Sequence, residues 1–189
     1  MTGNKIAPAA IAAFDFDKTI TVKDSFTDFL FYSFGYAKVI VRLFIIVPAI
    51  LLPLFLRMIT RERAKQCVFS FFFKGMSVDS FNHLCNGYSK RISAIVSAEA
   101  MNRICWHRKR GDDVVIVSAS IINWIRAWAK QNGIEQVIGT EPEVKNGILT
   151  GKFATPNCKG EEKVTRFLKI YPDRTLYTLY AYGDSKGDK

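Results

Sequence analysis

Asp15 and Asp17 stand one phenylalanine apart at the end of an apolar run, AIAAFDFDKTIT (residues 10–21). Side chains two residues apart on an extended strand share a face, so the spacing predicts a pair of adjacent carboxylates. Hard oxygen donors so placed can hold Mg²⁺ while one carboxylate acts as nucleophile, and open α/β sheets bind ligands at the carboxyl ends of their strands. Taken alone the spacing is weak evidence, since acidic residues at strand ends also cap helices and fill turns.

Three further segments supply complementary chemistry. In GDDVVIVSAS (111–120), Ser118 and Ser120 follow a predicted strand. Their hydroxyls, with backbone N–H groups at a helix start, suit a phosphate-sized anion, although serine there is also an ordinary N-cap. Lys159 and Lys163 lie four apart at the start of a predicted helix and so share a face. In AYGDSKGDK (181–189) an apolar strand again runs into acids, Asp184 and Asp188.

To bring these groups together the chain needs strands that end at one edge. Residues 10–16 and 114–117 read as short buried strands, and 176–182 as a last one. Helices are predicted over 121–131, with Ile121, Ile125 and Trp128 on one face, and over 161–170. VIGTEPEVKNGILTGKF (137–153) reads as a strand followed by a hairpin turning at Asn146-Gly147. Strands alternating with helices predict an α/β fold with a mostly parallel sheet. Residues 22–106 are helical in pattern and form an insertion between the first two strands, a cap over the strand ends.

The 189 residues suit one domain with an inserted subdomain, and 49% hydrophobic content gives enough material for a packed core. A net charge of +10 points to an anionic partner. Nucleic acid is excluded, because the basic residues are dispersed or flank an apolar run and no nucleic-acid motif is present. Cys67, Cys85, Cys105 and Cys158 lack paired spacing, which predicts reduced, buried thiols in a cytosolic compartment rather than a zinc site or disulfides. The N-terminal apolar stretch flows straight into the aspartate pair, so no cleaved leader is expected.

One segment departs from a soluble pattern. Leu43–Leu56, LFIIVPAILLPLFL, has no charge and is bounded by Arg42 and Arg57. It is shorter than the ~20 apolar residues of a straight span, and Pro48 and Pro53 disturb a helix interior. A buried, kinked cap helix is one reading. The preferred one is an interfacial element on an anionic membrane surface, with Lys38, Arg42, Arg57, Arg61, Arg63 and Lys65 flanking it; a single span is the third.

Asp-x-Asp-x-Thr at 15–19, Ser118 after a strand, a lysine at a helix start and Gly-Asp-x-x-x-Asp at 183–188 together resemble the four motifs of the haloacid dehalogenase (HAD) superfamily of phosphatases. The helical insertion is similar to the C1-type cap of its phosphoserine phosphatase-like subfamily, IB. The proline-bearing apolar run is similar to phosphatidylglycerophosphatase C-like members. The resemblance implies a Rossmann-like core over 1–21 and 107–189 and a helical cap over 22–106, with a membrane-associated segment over 39–59. It also implies a truncated C-terminus, because the chain stops at Lys189 directly after the fourth motif.

The same resemblance implies a phosphatase mechanism. Asp15 would attack phosphorus to form an aspartyl-phosphate, and Asp17 would serve as general acid and then base. Mg²⁺ would be held by Asp15, the Asp17 carbonyl and Asp184. Ser118, Ala119 and one lysine would bind phosphoryl oxygens. A Gly-x-x-Lys pattern favours Lys163 for that role, whereas Lys159 aligns better with soluble phosphoserine phosphatases. Thr19, Asp24 and Asp188 would support the metal or the substrate. The implied substrate is a lipid-linked phosphate such as phosphatidylglycerophosphate, at the cytoplasmic face of the inner membrane. The alternatives are a soluble phosphatase for phosphoserine or another small phosphomonoester, and a non-catalytic membrane-attached interaction protein.

Overall fold

The segment AIAAF forms strand β1 (Ala10–Phe14), almost wholly buried, as expected for a central strand covered on both faces. The computed structural model describes residues 10–184. After β1 come five helices, α1 (Ser25–Phe34), α2 (Tyr36–Phe55), α3 (Arg61–Phe73), α4 (Val78–Ser93) and α5 (Ala98–Arg110). The chain continues through β2 (Asp113–Ile121), α6 (Ile122–Gln131), β3 (Gln136–Thr140), β4 (Pro142–Lys145), β5 (Ile148–Phe153), α7 (Glu161–Ile170) and β6 (Thr178–Tyr182). The main sheet has the order β3–β2–β1–β6, and every pairing in it is parallel. The expected α/β class and mostly parallel sheet are therefore observed.

Alternation along the strands divides the core. Ala12, Phe14, Val114 and Ile116 pack on one side with Trp124, Ile125 and Trp128 of α6 and Ile104 of α5. Ile11, Val115, Val117 and Ile138 face the other side, against Phe167 of α7 and Cys158 just ahead of that helix. This two-sided burial places a helix layer on each face of the sheet. β4 and β5 form a separate antiparallel hairpin whose turn, Asn146-Gly147, has φ of 50° and 75°, as a two-residue turn of this type requires. Gly151 in β5 lies against α3: an added Cβ would stand 3.0 Å from Ser70 Cα, and its φ of 84° is left-handed. The absence of a side chain thus lets the hairpin brace the helical insertion.

Aromatic packing seats that insertion on the sheet layer. Phe29 of α1 is fully buried and contacts Phe73 of α3, Phe81 and Tyr88 of α4, and Trp124 of α6, the last at a ring separation of 4.6 Å. Asp28 is held by a two-pronged pairing with Arg91, Nε to Oδ2 at 2.7 Å and Nη2 to Oδ1 at 2.8 Å, and these bonds lower its pKa.

α2 accounts for the apolar run, and it is not a buried cap helix. Within its range only Val39 and Ile50 are buried, along a stripe facing α1 and α3. Phe44 is 78% and Phe55 84% exposed, and Ile45, Leu51, Leu52 and Met58 are exposed as well. Pro48 and Pro53 lie inside the helix, which is long and apolar enough to cross a membrane by length and composition. Among the four cysteines, all of them free, only Cys85 and Cys158 are buried; Cys105 is exposed, which corrects the expectation of uniformly buried thiols.

Phe29→Ala would leave a cavity where α1, α3, α4 and α6 meet. The expected loss is about 3–5 kcal/mol in urea unfolding. A loss below about 1 kcal/mol would show that this aromatic cluster does not hold the insertion.

Candidate active site

β1 stops at Phe14, and Asp15 extends the ladder only by donating its N–H to Tyr182 O of β6 (2.8 Å). A wide turn over Phe16–Ile20 follows, closed by the Thr21 N–H and hydroxyl on Phe16 O at 2.9 and 3.1 Å. Within it Lys18 adopts φ 58°, a left-handed conformation uncommon for a non-glycine residue. The strand expected through residue 16 therefore ends two residues early, and the two carboxylates meet different partners instead of sharing a strand face.

Asp15 Oδ1 accepts from Lys163 Nζ at 2.9 Å, with the two side chains 12% and 11% exposed. Lys163 lies in the first turn of α7, whose start is fixed by Arg166: Nη1 donates to Gly139 O (2.7 Å) and Nε to Glu162 Oε1 (2.7 Å). Lys159, the other candidate, precedes the helix and is exposed. The structure thus brings Lys163, not Lys159, to Asp15.

Asp17 turns toward the insertion. Its Oδ1 accepts from the Ser25 N–H at the start of α1 (2.7 Å), and its Oδ2 accepts from the Ser120 hydroxyl. Trp124 Nε1 donates to Ser25 Oγ (3.2 Å), which in turn donates to Ser120 Oγ (3.2 Å). Burial pushes the Asp17 pKa above the usual carboxylate range, and the bonds from Ser120 and Ser25 oppose that rise without cancelling it. Burial thus disfavours the charged form relative to an ordinary carboxyl, the direction a proton donor needs.

β2 continues to Ile121, so Ser118 and Ser120 lie at a strand end and not at a helix start; the N-cap of α6 is Ile121. Ser118 is buried and its Oγ accepts from the Ser120 N–H (3.1 Å). Ala119 O accepts from Thr140 Oγ1 and from Lys65 Nζ, each at 2.7 Å. Lys65 was grouped above with the charges flanking the apolar run, yet it reaches from α3 into this centre, and burial lowers its pKa. Its helical phase carried the signal: Lys65, Phe69 and Phe72 follow an i, i+4, i+7 spacing, and both phenylalanines are buried.

The remaining predicted residues are dispersed. Asp24 caps α1, accepting from the Thr27 N–H at 2.8 Å. Thr19 Oγ1 is buried, with no hydrogen-bond partner among the described residues. Asp184 is exposed, two residues past the end of β6, and Asp188 lies outside the described residues. Among the described residues no three His, Cys, Asp or Glu side chains gather as a ready metal cluster. Asp15 and Asp184 nonetheless follow neighbouring parallel strands at the same edge, and both are hard oxygen donors of the kind Mg²⁺ selects. The donor chemistry fits. Both oxygens of the Asp17 side chain are already engaged, by Ser25 and Ser120.

The family model of the haloacid dehalogenase-like hydrolases matches residues 12–189. The chain belongs to this family. Among relatives of this hydrolase, protein CicA of Caulobacter vibrioides is 31% identical over 193 residues, spanning 100% of this chain and 84% of that protein. A probable phosphatase of Mycobacterium tuberculosis is 34% identical over 102 residues, covering 51% of this chain and 34% of that protein. A Bordetella pertussis protein of unknown function has a similar structure, with TM-score 0.69 and 22% identity over 86% of this chain and 74% of that one. Apo phosphoserine phosphatase matches with TM-score 0.58 and 18% identity over 95% of this chain and 79% of that one. At these identities the two structures show the shared fold.

In this hydrolase the raised pKa of Asp17 has a consequence for stability. The folded-state pKa exceeds the unfolded one, so the fold is least burdened when Asp17 is protonated and loses stability as pH rises through the folded value. Asp17→Asn removes that burden. In metal-free buffer its melting temperature should gain on the parent as pH rises above the ordinary carboxyl range, near about pH 4. A difference that does not change with pH would contradict the assignment.

Proposed function

We propose that this hydrolase is a Mg²⁺-dependent phosphomonoesterase that works through an aspartyl-phosphate on Asp15 and takes its phosphate from a lipid headgroup. The observation that carries the reading is the Asp15–Lys163 pair at the carboxyl end of β1, where a carboxylate and a cation stand ready at a ligand-binding edge. Lys163 would exchange its contact with the carboxylate for the incoming phosphoryl oxygens. Ser118 and the main chain at Ala119 would contribute further hydrogen bonds.

Asp15 attacks phosphorus as the bond to the leaving oxygen breaks, and Asp17 passes its proton to that oxygen. Asp17, now ionised, takes a proton from water, whose oxygen displaces the Asp15 carboxylate and releases inorganic phosphate. Mg²⁺ held by Asp15, the Asp17 carbonyl and Asp184 would supply charge neutralisation at the phosphoryl group. We assign α1 to α4 to the cap, with Asp17 reaching it through Ser25, and α5, whose Ile104 packs on the sheet, to the core, so the expected cap boundary at 106 falls inside a core helix.

The lipid assignment is supported by α2. A helix seated by one stripe and apolar on its outer face suits burial in the headgroup boundary, and Lys38, Arg57 and Arg61 at its ends suit an anionic cytoplasmic leaflet.

Asp15→Asn should lower turnover by about a thousandfold or more, and activity that survives the change would rule out Asp15 as nucleophile. Of substrates offered with Mg²⁺, phosphatidylglycerophosphate in mixed vesicles should be hydrolysed faster than phosphoserine. The reverse order would assign a soluble phosphomonoester instead. The parent should also float with vesicles rich in anionic lipid, and a Phe44→Glu, Phe55→Glu double variant should stay behind; flotation of both would exclude α2 as the contact.

A further inference from the structure

His107, near the end of α5, is completely buried, and both of its ring nitrogens are engaged. Nδ1 lies 2.7 Å from Asp112 Oδ2, and Nε2 lies 2.8 Å from the Tyr182 hydroxyl. Asp112 is itself 4% exposed and has Arg110 Nε at 3.3 Å. A carboxylate can only accept, so Nδ1 carries the proton toward Asp112; in the neutral ring Nε2 then accepts the Tyr182 hydroxyl proton. None of these groups belongs to the four motifs, and none takes part in the mechanism above.

The line ends at the site. The Tyr182 ring stacks on Phe14 with centroids 4.4 Å apart and planes 11° apart, and Phe14 immediately precedes Asp15. Tyr182 O accepts the Asp15 N–H at 2.8 Å. Gly183 and Asp184 follow directly. One residue therefore touches the main chain of Asp15, packs on its neighbour and launches Asp184, and its free end is tied to His107. Rotation or sliding of Tyr182 would alter the separation of the two carboxylates expected to share a cation.

We propose that the Asp112–His107–Tyr182 line is a positioning device that sets the spacing of Asp15 and Asp184 for Mg²⁺. The inference rests on the metal assignment of the proposed function and extends it to residues behind the sheet end. Groups that orient ligands from behind typically change metal affinity or activity by about 10–100-fold when removed. Tyr182→Phe deletes a single hydroxyl and keeps the stack on Phe14, so it isolates the tie from the packing.

Mg²⁺ titration calorimetry on substrate-free protein is the primary test, with Asp184→Asn as the reference. Tyr182→Phe should weaken Mg²⁺ binding about tenfold or more and lower kcat on p-nitrophenyl phosphate, with KM changed by less than about twofold. His107→Ala should behave in the same way, and His107→Gln, which can offer a side-chain acceptor to the hydroxyl, should recover part of the affinity. If Tyr182→Phe binds Mg²⁺ like the parent while Asp184→Asn does not, the positioning role is overturned and the metal assignment stands. Equal Mg²⁺ binding by the parent, Tyr182→Phe and Asp184→Asn would overturn the metal assignment and the positioning role with it. Should His107→Ala fail to fold, Tyr182→Phe alone decides.

Discussion

Asp15 and Lys163 are 148 residues apart in sequence and 2.9 Å apart in space, and a parallel sheet is what brings them together. Strands that all run the same way end at one edge, so the segments leaving them converge. β1 delivers Asp15 there, β2 delivers Ser118 to Ser120, β3 delivers Thr140, and β6 delivers Asp184. Thr140 shows how closely these ends are knitted: it donates to Ala119 O near the end of β2 and accepts from the Cys158 N–H ahead of α7. Moving any one strand by a residue would misplace a group on each neighbour. The ladder register, more than any single contact, fixes the site.

The insertion is joined to this edge by both packing and hydrogen bonds. Phe29 against Trp124 fixes α1 over α6, and the Trp124 indole N–H then reaches Ser25, the first residue of α1. Ser25 is consequently held from two elements while its own N–H holds Asp17. The Asp17 carboxyl is thereby kept in one orientation by neutral donors, which favour its charged form less than a nearby cation would. Burial wins that contest, and the cost is borne locally by a fold whose aromatic core is otherwise dense.

Much of this was legible in the sequence because it depended on local pattern. The alternation of apolar runs with helical stretches marked the strands and the parallel sheet. The Asn146-Gly147 pair marked the hairpin, and α7 begins and ends where its composition indicates. The errors lay where tertiary contacts decide. The wide turn at Phe16–Ile20 depends on Thr21 closing onto Phe16 O, and β2 runs past Ser118 because its last residues still pair with β3 at Ile121 and Thr140. Lys65 was misplaced for a related reason: a lysine beside an apolar run reads as surface until the phase of its helix is followed. His107, one of only two histidines in the chain, carried little signal, since only Asp112 is near it in sequence and its other ring partner, Tyr182, comes from β6.

The distribution of positive charge also makes sense only in three dimensions. Lys163 arrives from α7 and Lys65 from α3 in the insertion, so the edge bearing Asp15 and Asp17 meets a cation from each side. Lys65 is the more exposed to strain of the two: its ammonium bonds a peptide carbonyl, gains from the fields of Asp17 and Asp24, and still has its pKa lowered by burial. An ammonium desolvated beside a neutral acceptor is poorly compensated until an anion joins it. The basic excess of the chain is therefore not a uniform surface property. Part of it lies along the ends of α2, facing outward, and part is drawn inside to the edge that carries Asp15 and Asp17.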